Sequence, residues 1–179
     1  MPKVIAVSRS EAHTFSKSVV DSITLIAGEG VEGDAHRGKT VKHRSRVKVD
    51  PTQPNLRQVH LIHSELFQEL QEKGFQVEAA ALGENITTRG IDLLSLPKGT
   101  VLQFPSGAKI MITGLRNPCP QIEAYQKGLL SAVLTKDSAG HVVRKAGVMG
   151  IVENGGRVTC GDNIEIIYPE EPFEKLERV

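Results

Sequence analysis

The stretch Val148-Met149-Gly150-Ile151-Val152-Glu153-Asn154-Gly155-Gly156-Arg157-Val158-Thr159 decides the fold class. Apolar residues fill its first half, and Asn-Gly-Gly interrupts them before a second short run. Asn-Gly supplies the positive φ angles that a tight hairpin turn needs, so the segment predicts two paired strands, 148–153 and 157–159. The same punctuation recurs upstream, where Pro105-Ser106-Gly107 sets strand 100–104 against strand 109–113. Working outward, residues 4–8 alternate apolar and polar side chains, and 18–26 read as one strand that ends at Gly28-Glu29-Gly30. Segments 59–62, 85–88 and 163–168 complete the strand set. Helices are few. Ser64 is placed to cap a helix over 65–73 that stops at Gly74, a second follows Pro120, and 129–134 extends it or forms a third. After Pro169 the chain turns acidic and polar and reads as a surface tail, 169–179. Many short strands with two or three helices predict a mainly β fold, a β-barrel with a few peripheral helices.

Composition narrows the function classes. The chain has 179 residues and a formal net charge of +1, so one domain over 1–179 is expected and the overall field does not favour nucleic acid. Two cysteines make no disulfide framework and fit a reducing compartment. The N-terminus reads as a first strand rather than a signal peptide. No apolar run approaches the roughly 20 residues that span a membrane. These features together predict a cytoplasmic protein.

Cys119 carries the sharpest chemical signal, in Gly114-Leu115-Arg116-Asn117-Pro118-Cys119-Pro120. Pro120 biases the residue before it toward extended backbone and suits the first position of the helix that follows. Cys119 is then expected at the N-cap, facing the positive end of a helix and near Arg116. Such an electropositive setting suits a reactive thiolate or a metal ligand. The alternative is a small buried thiol in a loop. Cys160, before a Gly-Asp turn, reads as packed and inert.

Four other segments could carry chemistry. Gly33-Asp34-Ala35-His36 follows a glycine run and reads either as an anion site, with His36 as donor, or as a polar turn capped by Asp34. The segment 36–48 holds six Lys or Arg, two His and no acid. It reads mostly as a solvated loop from which one or two residues reach an anion. His60 and His63 lie on opposite sides of a strand, which argues against a shared zinc. Gly83-Glu84-Asn85 places a carboxylate beside an amide. Glu84 either holds a protonated ring nitrogen or an amine of a heterocycle, or pairs with a surface lysine. No P-loop, Gly-x-Ser-x-Gly or dinucleotide fingerprint occurs.

Taken in order, Gly33-Asp34-Ala35-His36, Arg57-Gln58-Val59-His60-Leu61-Ile62, Gly83-Glu84-Asn85-Ile86-Thr87, Arg116-Asn117-Pro118-Cys119, Gly155-Gly156-Arg157-Val158 and Gly161-Asp162 closely resemble the MOSC domain. That family is named for the C-terminal part of molybdenum-cofactor sulfurases. The resemblance runs from about 30 to 167, and the chain looks like a small stand-alone bacterial-type member. It implies a barrel like the small β-domain of pyruvate kinase and a pocket for molybdenum cofactor (molybdopterin), a pterin dithiolene bearing a phosphate. It implies that Cys119 is the family's functional cysteine. That residue is either a persulfide sulfur carrier or a thiolate ligand to molybdenum in reduction of N-hydroxylated compounds, with Arg116 stabilising the thiolate or an oxo group. Gly33, Asp34 and His36 would then take the cofactor phosphate, and Glu84 with Asn85 the pterin. The chain shows no flavin, iron–sulfur or haem motif, so electrons or sulfur would come from a separate protein. The other expectation is a non-catalytic module that binds a pterin or another phosphorylated ligand.

Overall fold

The computed structural model describes residues 1–40, 49–50 and 52–179. Strands are β1 (Lys3–Arg9), β2 (Ser18–Val20), β3 (Ser22–Ile26), β4 (Gly30–Val31), β5 (Val59–His63), β6 (Ile86–Arg89), β7 (Val101–Gln103), β8 (Lys109–Leu115), β9 (Leu134–Lys136), β10 (Val142–Arg144), β11 (Val148–Asn154), β12 (Gly156–Thr159) and β13 (Glu165–Ile167). Helices are α1 (Glu65–Glu72), α2 (Gln121–Tyr125) and α3 (Leu129–Val133), with a short 3-10 turn at Leu93–Ser95. The expected mainly β architecture with few helices is what the chain forms.

Eight strands make one sheet in the order β13-β7-β8-β11-β5-β6-β1-β2, and β12-β3-β4 make a second. The large sheet is not closed by a continuous ladder, but its ends are drawn together. The Val4 N–H donates to the Asp162 carbonyl at 2.8 Å, and the Ile164 N–H to that of Pro2 at 3.0 Å, just before β13 begins. The result is barrel-like. Its interior holds Val7, Leu25, Leu61, Ile86, Leu102, Phe104, Ile110 and Val148, all buried.

Three sequence expectations are corrected. Residues 148–159 do not form a hairpin. β11 is paired along one edge with β8 and over Val148–Gly150 on the other with β5, while β12 joins β3 instead. The Asn-Gly-Gly turn moves the chain from one sheet to the other. Residues 18–26 are two strands rather than one, because β2 pairs β1 while β3 pairs β12 and β4. The tail 169–179 is mostly exposed, as expected, yet its end returns to the body. Leu176 is buried, the Leu115 N–H donates to the Glu177 carbonyl at 2.7 Å, and the Val179 N–H donates to that of Leu115 at 3.1 Å.

The hairpin of β7 and β8 forms as expected, with Val101 opposite Met111. Helix α1 ends as expected at Gly74. The Phe75 N–H reaches the Leu70 carbonyl (2.9 Å) and the Gly74 N–H that of Gln71 (3.0 Å), a Schellman closure. Ser64 stands at the N-cap of α1 but makes no side-chain cap bond.

The helices pack on a second apolar cluster outside the barrel. Ile62 of β5, Leu66 and Leu70 of α1, Leu82, Ile122 of α2 and Leu129 with Val133 of α3 are buried there, and Cys119 and Phe15 pack against its edge. Glu123 ties α2 to α3 by accepting from the Gly128 N–H (3.0 Å) and the Leu130 N–H (3.3 Å). This cluster places the cysteine loop against the sheet.

Gly147 enforces that approach. It lies at φ +93°, and a Cβ there would meet the Leu61 carbonyl oxygen, Ile62 Cγ1 at 2.7 Å and His60 Nε2 at 3.0 Å. Gly147→Ala is therefore expected to cost about 3 kcal/mol or more in urea unfolding, combining left-handed strain with overpacking against backbone. Gly140→Ala is the control. Its φ is +84° but nothing lies within 4 Å of the added methyl, so only the strain of about 1 kcal/mol is expected.

Candidate active site

Cys119 follows β8 through Arg116-Asn117-Pro118. Four bonds fix this loop. The Arg116 N–H donates to the Gly147 carbonyl (3.0 Å), and Arg116 Nη1 to that of Leu82 (2.6 Å). Arg144 Nε donates to Asn117 Oδ1 (3.1 Å), and the Ile122 N–H to the Cys119 carbonyl (3.1 Å). Pro120 takes the cap position of α2 with helical φ and ψ, so Cys119 lies one residue earlier than expected. The reason is that Pro120 continues the helical turn into the loop. Cys119 remains half-buried, with Arg116 Nη2 donating toward its Sγ at 4.0 Å and its thiol donating to Gln121 Oε1 at 3.6 Å.

The thiol opens into a cavity of about 440 Å³ whose walls include Lys17, His36, Arg57, Asn85, Arg116 and Gln121. No aspartate or glutamate side chain is among the described residues lining it. Phe15, on one wall, meets the half-exposed ring of Tyr125 at 5.6 Å between centroids. Acids stand behind the wall. Asp34, buried, receives Lys17 Nζ at 3.0 Å, the Ser10 N–H at 3.1 Å, the His36 N–H at 3.2 Å and Asn85 Nδ2 at 3.3 Å. Burial alone would push its carboxyl up, but the bonds from His36, Lys17 and Ser10 outweigh that and hold it well below the usual carboxylate range. Asp34 thus stays ionised and aims two basic side chains at the cavity. Burial pulls the Lys17 ammonium below its ordinary value, with Asp34 opposing.

Asn85 ties strands together. Its Oδ1 accepts from the His60 N–H (3.1 Å) and its Nδ2 donates to the Ser8 carbonyl (3.1 Å) as well as to Asp34. Both amide hydrogens are engaged, which leaves a ligand only a lone pair of Oδ1. Glu84 is fully buried and is not among the described residues that line the cavity, whereas its neighbours Gly83 and Asn85 are. Its Oε1 accepts from the Ala80 N–H, because Ala80 at φ +72° turns that group inward, while Oε2 has no partner among the described residues. Gly33 packs against the Arg9 guanidinium and is not among the described residues lining the cavity.

His60 is buried, with Nε2 at 2.8 Å from the Ala146 carbonyl, and burial lowers its ring well below the ordinary imidazole range. Among the described residues no group of three or more His, Cys, Asp or Glu is placed to hold a metal. The basic run 36–48 is described only in part. His36 lines the cavity and Arg37 pairs with Glu29 at 3.4 Å, while 41–48 lie outside the described residues. Sequence reasoning missed Lys17, His13, Phe15 and Gln121 as site residues, and it noted Arg57 only as part of a motif. Lys17 carries no local signal, since its partner Asp34 is 17 residues away. Gln121 could have been found from its place two residues after the cysteine.

Comparison with known proteins places this geometry. A family model described as MOSC domain matches residues 34–165. YuaD of Bacillus subtilis (strain 168), named for a proposed part in metal-sulfur cluster biosynthesis, is 32% identical over 184 residues, covering 95% of this chain and 93% of that protein. The crystal structure of the B. subtilis YuaD protein superposes with a TM-score of 0.77 at 29% identity, covering 95% of this chain and 98% of its own. YiiM of Geobacillus stearothermophilus shares the fold at TM-score 0.66 and 16% identity, over 93% of this chain and 75% of that one. YiiM of Escherichia coli does so at 0.62 and 18%, over 96% and 73%. Among the described residues no helix is long and apolar enough to cross a membrane.

Proposed function

The chain belongs to the MOSC-domain family, and from that premise we propose that it is a sulfur-handling protein in which Cys119 carries sulfur as a persulfide to a metal centre. One observation carries the reading. The single thiol of the cavity stands 4.0 Å from the Arg116 guanidinium, in a wall of basic side chains. A persulfide anion on Cys119 would lie beside a guanidinium there, with no aspartate or glutamate among the described residues lining the cavity. The name of YuaD, which points to metal-sulfur clusters, accords with sulfur delivery.

A second reading rests on the shape and charge of the cavity. Its volume of about 440 Å³ lies within the range of small-ligand pockets, and Lys17, His36 and Arg57 suit a phosphate. Among the described residues Cys119 is one soft donor with no group of three or more metal-binding side chains around it, so a metal arriving here would bring other ligands with it. Molybdenum cofactor meets that condition. Cys119 would ligate it, the three basic residues would hold its phosphate, and Arg116 would face the metal side. When bound, the group supplies a metal that accepts oxygen, sulfur or electrons. Glu84 and Asp34 support this wall from behind.

Elemental analysis separates the two readings. Wild type and Cys119→Ala are purified without air from molybdate-fed cells. The carrier reading expects no stoichiometric molybdenum in either. Molybdenum bound to wild type and absent from the variant would replace the carrier reading with the thiolate ligand.

A further inference from the structure

We infer that Cys119 is loaded directly by a small sulfane-sulfur oxyanion of the thiosulfate class, without a partner protein as obligatory donor. The inference rests on the carrier reading and names its substrate. The cavity combines one thiol with three basic side chains on its walls, namely Arg116, Lys17, which is paired with Asp34 at 3.0 Å, and Arg57, whose Nη2 donates to the Val179 carbonyl. Such a site recruits a compact dianion, holding sulfonate oxygens on the basic wall while the outer sulfur faces Sγ. Gln121 Oε1, 3.6 Å from Sγ, accepts from the thiol and orients it.

The chemistry balances without an added oxidant or reductant. Cys119 Sγ attacks the sulfane sulfur, forming an Sγ–S bond. The bond from that sulfur to the sulfonate sulfur breaks, and its electron pair leaves on sulfite. The thiol proton passes to sulfite, giving a persulfide anion and hydrogen sulfite from one thiol and one thiosulfate. The cations that bind the incoming dianion also stabilise the departing one.

The test incubates the reduced full chain with thiosulfate and measures sulfite release and the mass of the Cys119 peptide, then turns the protein over with cyanide as acceptor and measures thiocyanate. One sulfite per chain is expected, one sulfur on Cys119, and saturation in thiosulfate. Arg57→Met is expected to raise KM about tenfold or more with a smaller effect on kcat. Arg57 is half-buried, and this variant avoids breaking the buried Lys17–Asp34 pair. Loading of Cys119 by inorganic polysulfide but not by thiosulfate would overturn this inference and leave the carrier reading standing. Failure of both donors would overturn both. Thiosulfate turnover with unchanged KM in Arg57→Met and in Lys17→Met would also overturn it, since the basic wall would then not recognise the donor.

Discussion

Cys119→Ala is expected to remove sulfur loading from inorganic polysulfide by at least about a hundredfold while the protein stays folded, and Cys160→Ala is expected to load like wild type. The two thiols differ in setting rather than in chemistry. Cys119 faces the cavity beside Arg116 and Gln121. Cys160 is exposed after β12, and its Sγ donates to the Ile5 carbonyl at 3.1 Å, away from any basic residue of the cavity wall. Cys119 packs only against the edge of the outer apolar cluster, so truncation to alanine is expected to cost about 1 kcal/mol or less. Loss of loading without loss of the urea midpoint separates a chemical role from a structural one. Loss of loading in Cys160→Ala alone would reverse the assignment.

Glu84→Gln is expected to gain stability over wild type by about 3 kcal/mol as pH rises from 4.5 to 8. Burial raises the Glu84 carboxyl from its ordinary 4.5 to about 7, against the Ala80 N–H and the charges of Arg116 and Lys17 that pull it back. The sign follows from the proton count. Below pH 4.5 folded and unfolded chains both hold this proton, and the contribution to stability is complete. Between 4.5 and 7 the folded chain keeps a proton that the unfolded chain releases, so stability falls as pH rises through that window. Above 7 the loss is complete. Glutamine does not titrate. The difference between variant and wild type isolates Glu84, because His60, held neutral by burial, contributes a slope of opposite sign to both proteins. Urea unfolding at a series of pH values reads the difference directly. A constant difference across the range would mean that Glu84 ionises like an exposed carboxylate.

What the sequence revealed depended on the range of each interaction. The β7–β8 hairpin was legible because its turn residues and its pairing partners are neighbours in sequence. Asn154-Gly155-Gly156 carries the same local chemistry, yet its strands part, with β11 pairing β8 and β5 while β12 joins β3. Turn residues announce a reversal and do not say which strand comes next. The break of 18–26 at Asp21 had the same origin, with the two halves paired to strands in different sheets. In the site, Cys119 and Arg116 were readable from one loop. His36 was found with its buried partner Asp34 because they are two residues apart. Lys17 was not, since only the folded chain brings it to Asp34. Glu84 was singled out as unusual, but its full burial was not legible. Its burial depends on Ala80, whose positive φ no residue type announces. Leu176 looked like part of a polar tail because one apolar residue among charges gives no periodicity, and its burial comes from pairing with the end of β8.

The most direct test of the central claim is the mass of the native protein, isolated air-free and without reductant, before and after brief treatment with cyanide. The account expects a fraction of chains heavier by one sulfur atom, with the extra mass on the peptide that contains Cys119 and removed by cyanide as thiocyanate. A protein that carries no such sulfur even after exposure to polysulfide, or that carries it on Cys160, would contradict the account.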